Sequence, residues 1–344
     1  MKTLLSVLIF MPLAAVAVTW HSAAEAPFAL YGKIAEAPGY QRIPPDSRLD
    51  ANQRAMGACS SGLQVRFRTD SSSVQVRAKL TGSGAMYHIP ATGQSGMDLY
   101  AGAPGEEIYC GTTILNPSNA EYEVEIYRRE EPVMEDFVLY LPLYNSVIFL
   151  EIGLDDDASV EEAAPMPSGA IVFFGTSITQ GGCASRPGMC HTNILSRALG
   201  CVVYNFGYSG GGTMEPAQLE YLVKAPDPLL FIIECENNCA FSVIESRMKD
   251  FVAGIRAAHP GVPVLIISAL PGHTVNPDSA GLQEQIASEC GDGVYYLDGR
   301  TLLPGDPGEY TVDGLHLTTL GFQAYADAVL PVIGNILQRH MAME

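Results

Sequence analysis

The chain has 344 residues, with 19 Lys and Arg against 38 Asp and Glu, giving a formal net charge of −19. That length suggests two domains, each able to bury its own core. A hydrophobic content of 47% against 17% charged residues excludes a largely disordered chain. The acidic balance argues against nucleic acid as a partner and against docking on an anionic membrane, since both call for a basic face.

The first residues point to export. Lys2 supplies a positive start, residues 4–18 are apolar apart from Ser6, and Ala15-Val16-Ala17 is a small-residue cleavage site. About fifteen apolar residues fall short of the roughly twenty that span a bilayer. Residues 1–17 are therefore expected to be a signal peptide, leaving a periplasmic or secreted chain with no stable membrane insertion. No later segment reads as long and apolar enough to cross a membrane. Eight cysteines in an exported chain permit disulfides, with Cys183–Cys190, Cys235–Cys239 and Cys59–Cys110 as conceivable pairs.

Residues 18–152 read as an all-β domain. Leu63, Val65 and Phe67 alternate with Gln64, Arg66 and Arg68, the period-two pattern of a half-buried strand. Val74, Val76 and Ala78 repeat it after a Ser-rich turn. Residues 122–126, 138–141 and 147–152 add further strands, and the sum predicts a β-sandwich or jelly roll. Residues 153–169, acidic and then Pro-rich, read as a solvated connection.

From residue 170 to the end, continuous apolar runs at 170–174, 202–206, 229–233, 262–267 and 294–297 alternate with helix-length segments. Such runs mean strands buried on both faces, so this domain is expected to be α/β with a doubly wound parallel sheet. A last helix from about Thr319 carries Tyr325, Val329, Val332, Ile333, Ile336 and Leu337 on one stripe. Functional groups in such a sheet collect beyond the carboxyl ends of its strands. Those ends carry Gly175-Thr176-Ser177-Ile178-Thr179-Gln180-Gly181, then Asn205 to Gly211, then Glu234-Cys235-Glu236-Asn237-Asn238. Asp313-Gly314-Leu315-His316 precedes the last helix.

A serine nucleophile needs a base, and the base needs a carboxylate to hold its tautomer. Ser177, His316 and Asp313 supply those three types. The developing oxyanion needs donors, which the backbone of Ser177 and Gly210 and the amide of Asn238 can offer. Gly207-Tyr208-Ser209-Gly210-Gly211 is formally a second nucleophile motif, but one strand before it is too few for the fold that uses it. His88, His191, His259, His273 and His340 lack partners at metal-ligand spacing, and no dinucleotide or phosphate loop is present, so neither metal nor cofactor is expected.

In these blocks the sequence resembles the SGNH, or GDSL-like, hydrolases. The first block matches G-D-S-x-T-x-G with Thr176 for Asp, the second matches from Asn205 to Gly210, and Asp313 and His316 match D-x-x-H. The third departs from G-x-N-D, so that either Asn237 or, with Glu236 in the Gly place, Asn238 takes the Asn position; Asn238 is preferred. Ser95-Gly96-Met97-Asp98-Leu99-Tyr100 is similar to the G-x-D-L-Y signature of a β-domain that precedes some of these hydrolases, and Trp20-His21 and residues 64–70 are in keeping with it. The resemblance implies a flavodoxin-like catalytic domain with Ser177 as nucleophile, His316 as base and Asp313 as its orienting carboxylate. It implies an exported serine esterase, with acetyl esters on carbohydrate as the expected substrates. Lysophospholipase, lipase or thioesterase activity, or a non-catalytic carbohydrate-binding envelope protein, are the alternatives.

Overall fold

A computed structural model describes residues 17–271 and 276–342. The expected leader, apart from Ala17, and His273 lie outside the described residues.

The N-terminal elements are β1 (Val18–Ser22), β2 (Ala29–Tyr31), α1 (Ala51–Ala58), β3 (Gln64–Thr69), β4 (Ser73–Leu80), α2 (Ala91–Gln94), β5 (Asp98–Ala101), β6 (Ile108–Thr112), β7 (Glu121–Arg128), β8 (Glu135–Tyr140), β9 (Val147–Asp155) and β10 (Val160–Glu161). They form two antiparallel sheets, one ordered β1-β9-β4-β7 and the other β10-β3-β8-β5-β6 with β2 beside β3. Val65, Phe67, Val74, Val76, Leu139 and Ile152 fill the core of this sandwich. Two differences from the expectation bear on function. The domain is not all-β, because α1 and α2 interrupt it. Nor is the segment 153–169 simply a solvated link: β9 runs to Asp155, whose carboxylate accepts bonds from the N–H and hydroxyl groups of Ser72 and Ser73. Val160 and Glu161 then pair with β3.

The second half comprises β11 (Ala170–Gly175), α3 (Ser177–Gln180), α4 (His191–Leu199), β12 (Val202–Gly207), α5 (Pro216–Leu222), β13 (Pro228–Glu234), α6 (Phe241–Ala258), β14 (Val264–Ile267), α7 (Ser279–Cys290), β15 (Val294–Leu297) and α8 (Thr319–Met341). Its five strands are parallel in the order β12-β11-β13-β14-β15, the flavodoxin-like arrangement. Alternate residues serve opposite faces, which is why the runs are continuously apolar. Val172, Phe174, Phe231 and Ile233 pack with Phe251 and Ile255 of α6. Ile171, Phe173, Ile232 and Leu265 pack with Phe322, Tyr325, Val329 and Ile333 of α8.

That helix corrects one expectation. Thr319–His340 is long and apolar enough to cross a bilayer by length and mean hydropathy (1.3), yet its apolar stripe is seated on the sheet. The polar face of β3 also differs, for Gln64 and Arg66 are both buried. Arg66 pairs with Glu107 at 2.6 Å and donates to Gln64, which in turn reaches Ser196 of α4. The second domain thus covers what an isolated sandwich would expose. All eight cysteines are free thiols, so none of the three conceivable disulfides is formed.

Candidate active site

Register brings three strand ends together, with Gly175 of β11 opposite Gly207 of β12 and Glu234 of β13. Strand order reverses in such sheets beside the first strand, opening the crevice where ligands bind. Ser177 stands there as the first residue of α3. Thr176, which replaces the family's Asp, caps that turn by accepting from the Ile178 N–H at 3.2 Å.

Ser177 Oγ lies 2.9 Å from Nε2 of His316, and Nδ1 of His316 lies 2.8 Å from Oδ2 of Asp313. The dyad is prearranged by its own loop. Asp313 Oδ1 accepts from the N–H groups of Leu315 (3.1 Å) and His316 (2.8 Å), an Asx turn completed by Gly314 at φ +85°. Burial pushes the Asp313 carboxyl up, but the N–H and ring of His316 outweigh it and hold it at about 2. It is therefore ionised at neutral pH.

Three donors remain unspent around Ser177. Its own N–H opens α3, where no carbonyl precedes it in the helix. Gly210 sits at φ +68° in the turn closed by the Gly211 N–H on Tyr208, and its N–H has no acceptor among the described residues. The Asn238 Oδ1 accepts from the Gly212 N–H at 3.1 Å, so the Nδ2 end of that amide is left over. Asn237, by contrast, has both amide atoms buried without a partner among the described residues. The Glu236 carboxylate, in the position where the family has Gly, bonds the Ala269 N–H (2.7 Å) and Gln283 Nε2 (2.6 Å), tying this turn to β14 and α7. Beneath the crevice, burial pushes the Glu234 carboxyl up to about 8 although Thr179 donates to it at 2.7 Å.

Ser209 is not paired with a base. Its N–H donates to Gln180 Oε1 and its carbonyl accepts from Asn52, and no imidazole bonds its hydroxyl among the described residues.

The N-terminal domain contributes groups that sequence reasoning missed. Asn52 of α1 donates to the Ser209 carbonyl at 2.8 Å, and Gln53 to the Gly211 carbonyl at 3.1 Å. Arg42, fully buried, donates to the carbonyl and side chain of Asn205. The Tyr144 hydroxyl donates to the Ser177 carbonyl at 3.3 Å. A capping box, Asp50 with Gln53, was the available signal for α1. Asp98 and Tyr100 do not enter the triad: Asp98 accepts from Arg186 and the Gly188 N–H, both at 2.8 Å, and Tyr100 accepts from Arg186 at 2.7 Å. They fasten the two domains beside the site.

Of the remaining histidines, His191 is fully buried among Phe173, Phe322 and Tyr325, and His259 bonds the Val223 carbonyl. His21 packs on Phe28. His88 departs from the expectation of isolation, for its ring centroid lies 5.3 Å from that of His316.

Both halves of the chain match known families. The family model of the GDSL-like lipase/acylhydrolase family matches residues 168–334, and that of the N-terminus of SGNH-hydrolase-type esterases matches residues 18–160. Among solved structures, a Bacteroides ovatus protein described as a GDSL-like lipase is 28% identical, with a TM-score of 0.84 over 94% of this chain and 98% of its own. Two more distant structures share the fold. A salicylyl-acyltransferase from a tetracycline biosynthetic pathway has TM-score 0.74 at 19% identity, covering 96% and 98% of the two chains. A family two carbohydrate esterase from Cellvibrio japonicus has TM-score 0.64 at 14%, covering 94% and 98%. Curated protein sequences give no significant match. Residues 168–334 thus match the GDSL-like lipase/acylhydrolase family and residues 18–160 the N-terminal domain of SGNH-type esterases, and together they make the chain an ester-hydrolysing serine hydrolase.

Proposed function

We propose that this protein is an exported esterase that removes short acyl groups, acetyl foremost, from carbohydrate through an acyl-enzyme on Ser177. The observation that carries the reading is the continuous relay from Ser177 Oγ through His316 to Asp313, with both links under 3 Å. As Ser177 Oγ attacks the ester carbonyl, its proton passes to His316 Nε2, and the Asp313 carboxylate stabilises the imidazolium. Negative charge gathers on the carbonyl oxygen, facing the N–H groups of Ser177 and Gly210 and the Asn238 amide. His316 then gives the proton to the departing sugar oxygen, which leaves as a hydroxyl. Water, deprotonated by the same imidazole, releases the acid and restores Ser177.

Two features favour a sugar ester. Tyr87 is 92% exposed and packs on His88 next to His316, so an aromatic face is free for a pyranose beside the reacting serine. A net charge of −19 repels polyanionic substrates. The likeness in fold to a carbohydrate esterase adds an analogy. Export rests on the leader pattern of residues 1–17.

Purified protein is expected to release acetate from acetylated xylan or mannan oligosaccharides and to prefer p-nitrophenyl acetate over the octanoate. Ser177→Ala should abolish both activities. Preference for long chains would replace this reading with a lipase. Glycan binding without hydrolysis would replace it with a carbohydrate-binding role.

A further inference from the structure

Three separate loops bring a second set of reactive atoms to the mouth of the site. His88 comes from the N-terminal domain, Cys183 from the turn after α3, and His316 from the loop before α8. One ligand atom from each lies within 4.8 Å of the other two. His88 Nδ1 is buried with no hydrogen-bond partner among the described residues. Cys183 is buried and held at φ +76°, a left-handed conformation that side chains other than glycine rarely adopt. Its thiol has no hydrogen-bond partner among the described residues either. Strain of this kind persists where the surroundings enforce it, commonly at functional sites. Two orphaned groups therefore converge on the one imidazole that the esterase reading makes its base.

Two imidazoles and a thiol form a donor set suited to zinc, a borderline-soft ion that takes His nitrogen and Cys sulfur in tetrahedral geometry with one position open. Bonds of about 2.0–2.3 Å place such ligands roughly 3.5 Å apart, so the three groups need to close by about 1 Å. His316 already has the support that metal-bound histidines require, since Asp313 holds Nδ1 at 2.8 Å and leaves Nε2 to turn outward. We propose that His88, Cys183 and His316 form a site for one Zn²⁺ ion, and that its occupancy silences the esterase by taking His316 Nε2 from Ser177. The Cys183 thiol loses its proton to solvent as the Zn–S bond forms, and water or the substrate-side solvent fills the fourth position. The silencing, though not the binding, rests on the esterase reading above.

The test uses the whole chain freed of metal. Zn²⁺ competed against a chromogenic chelator should bind at one equivalent, and Co²⁺ in its place should show a thiolate-to-cobalt charge-transfer band. Zn²⁺ should inhibit ester hydrolysis at the same equivalence, and a chelator should restore it. Cys183→Ala, which should hydrolyse esters normally without zinc, is expected to lose the cobalt band and at least about tenfold in zinc affinity. His88→Ala should lose a similar factor. Absence of stoichiometric binding, or affinity in Cys183→Ala or His88→Ala unchanged from that of the native chain, overturns the site. One-equivalent binding with the cobalt band but undiminished hydrolysis overturns the silencing, since the ion then leaves the base free. An inactive protein that still binds zinc with the band supports the site while refuting the esterase reading.

Discussion

Asn237 and Asn238 are adjacent, yet their surroundings divide their roles. The carbonyl end of the Asn238 amide is engaged by the Gly212 N–H, which leaves the NH₂ end as a spare donor. Asn237 is shut in with no partner among the described residues. Asn238→Ala should therefore lower kcat by about 10²–10³, with a smaller change in KM, because the donor acts on charge that develops in the transition state. Asn237→Ala should change the rate little; steady-state kinetics on one ester decides the ranking, and the reverse order moves the donor to Asn237. At this scale the sequence was legible where chemistry demands one residue type: nothing replaces Ser177, His316 or Asp313 in their loops. It was ambiguous at the amide, where Glu236 stands in the Gly position and removes the register mark. The reason for Glu236, a carboxylate bridging Ala269 and Gln283, depends on long-range contacts that no local pattern announces.

Among elements, α1 is the one whose absence from the sequence reading cost most. Eight residues with few apolar side chains carry little periodic signal, and the helix packs on the second domain rather than in its own sandwich. Its role is to brace the loop that bears Gly210: Asn52 holds the Ser209 carbonyl and Gln53 the Gly211 carbonyl. Asn52→Ala removes one such bond, worth about 0.5–1.5 kcal/mol. It should lower kcat several-fold, up to about tenfold, with the thermal midpoint little changed because Asn52 is itself exposed. Unchanged kcat would mean that Gly210 is held without α1. The parallel strands were easier to read, since burial on both faces writes itself as unbroken apolar runs. β3 was half legible: its alternation was real, but the neighbour that buries Gln64 and Arg66 lies far along the chain.

In the whole molecule the two domains act as one body. Asp98 and Tyr100 clasp Arg186, and Arg42 crosses to Asn205, so the β-domain is built into the back of the site. His191, between β11 and α8, makes the core acid-sensitive. Neither ring nitrogen of His191 has a hydrogen-bond partner among the described residues, and burial pushes it down to about 3. The unfolded chain takes up that proton near pH 6.5, so the folded state is undiminished above this value and loses stability as pH falls toward 3. Each unit in that window costs up to about 1.4 kcal/mol. His191→Leu should flatten the decline of thermal midpoint with acid between those limits, and a curve parallel to the native one would contradict this. The central claim concerns Ser177, and trapping the acyl-enzyme tests it most directly. The protein is reacted with a fluorophosphonate or a slow-turnover ester, digested, and the modified serine located by mass spectrometry. The account predicts one adduct per chain, on Ser177; an adduct on Ser209, or none in a protein that still hydrolyses esters, would contradict it.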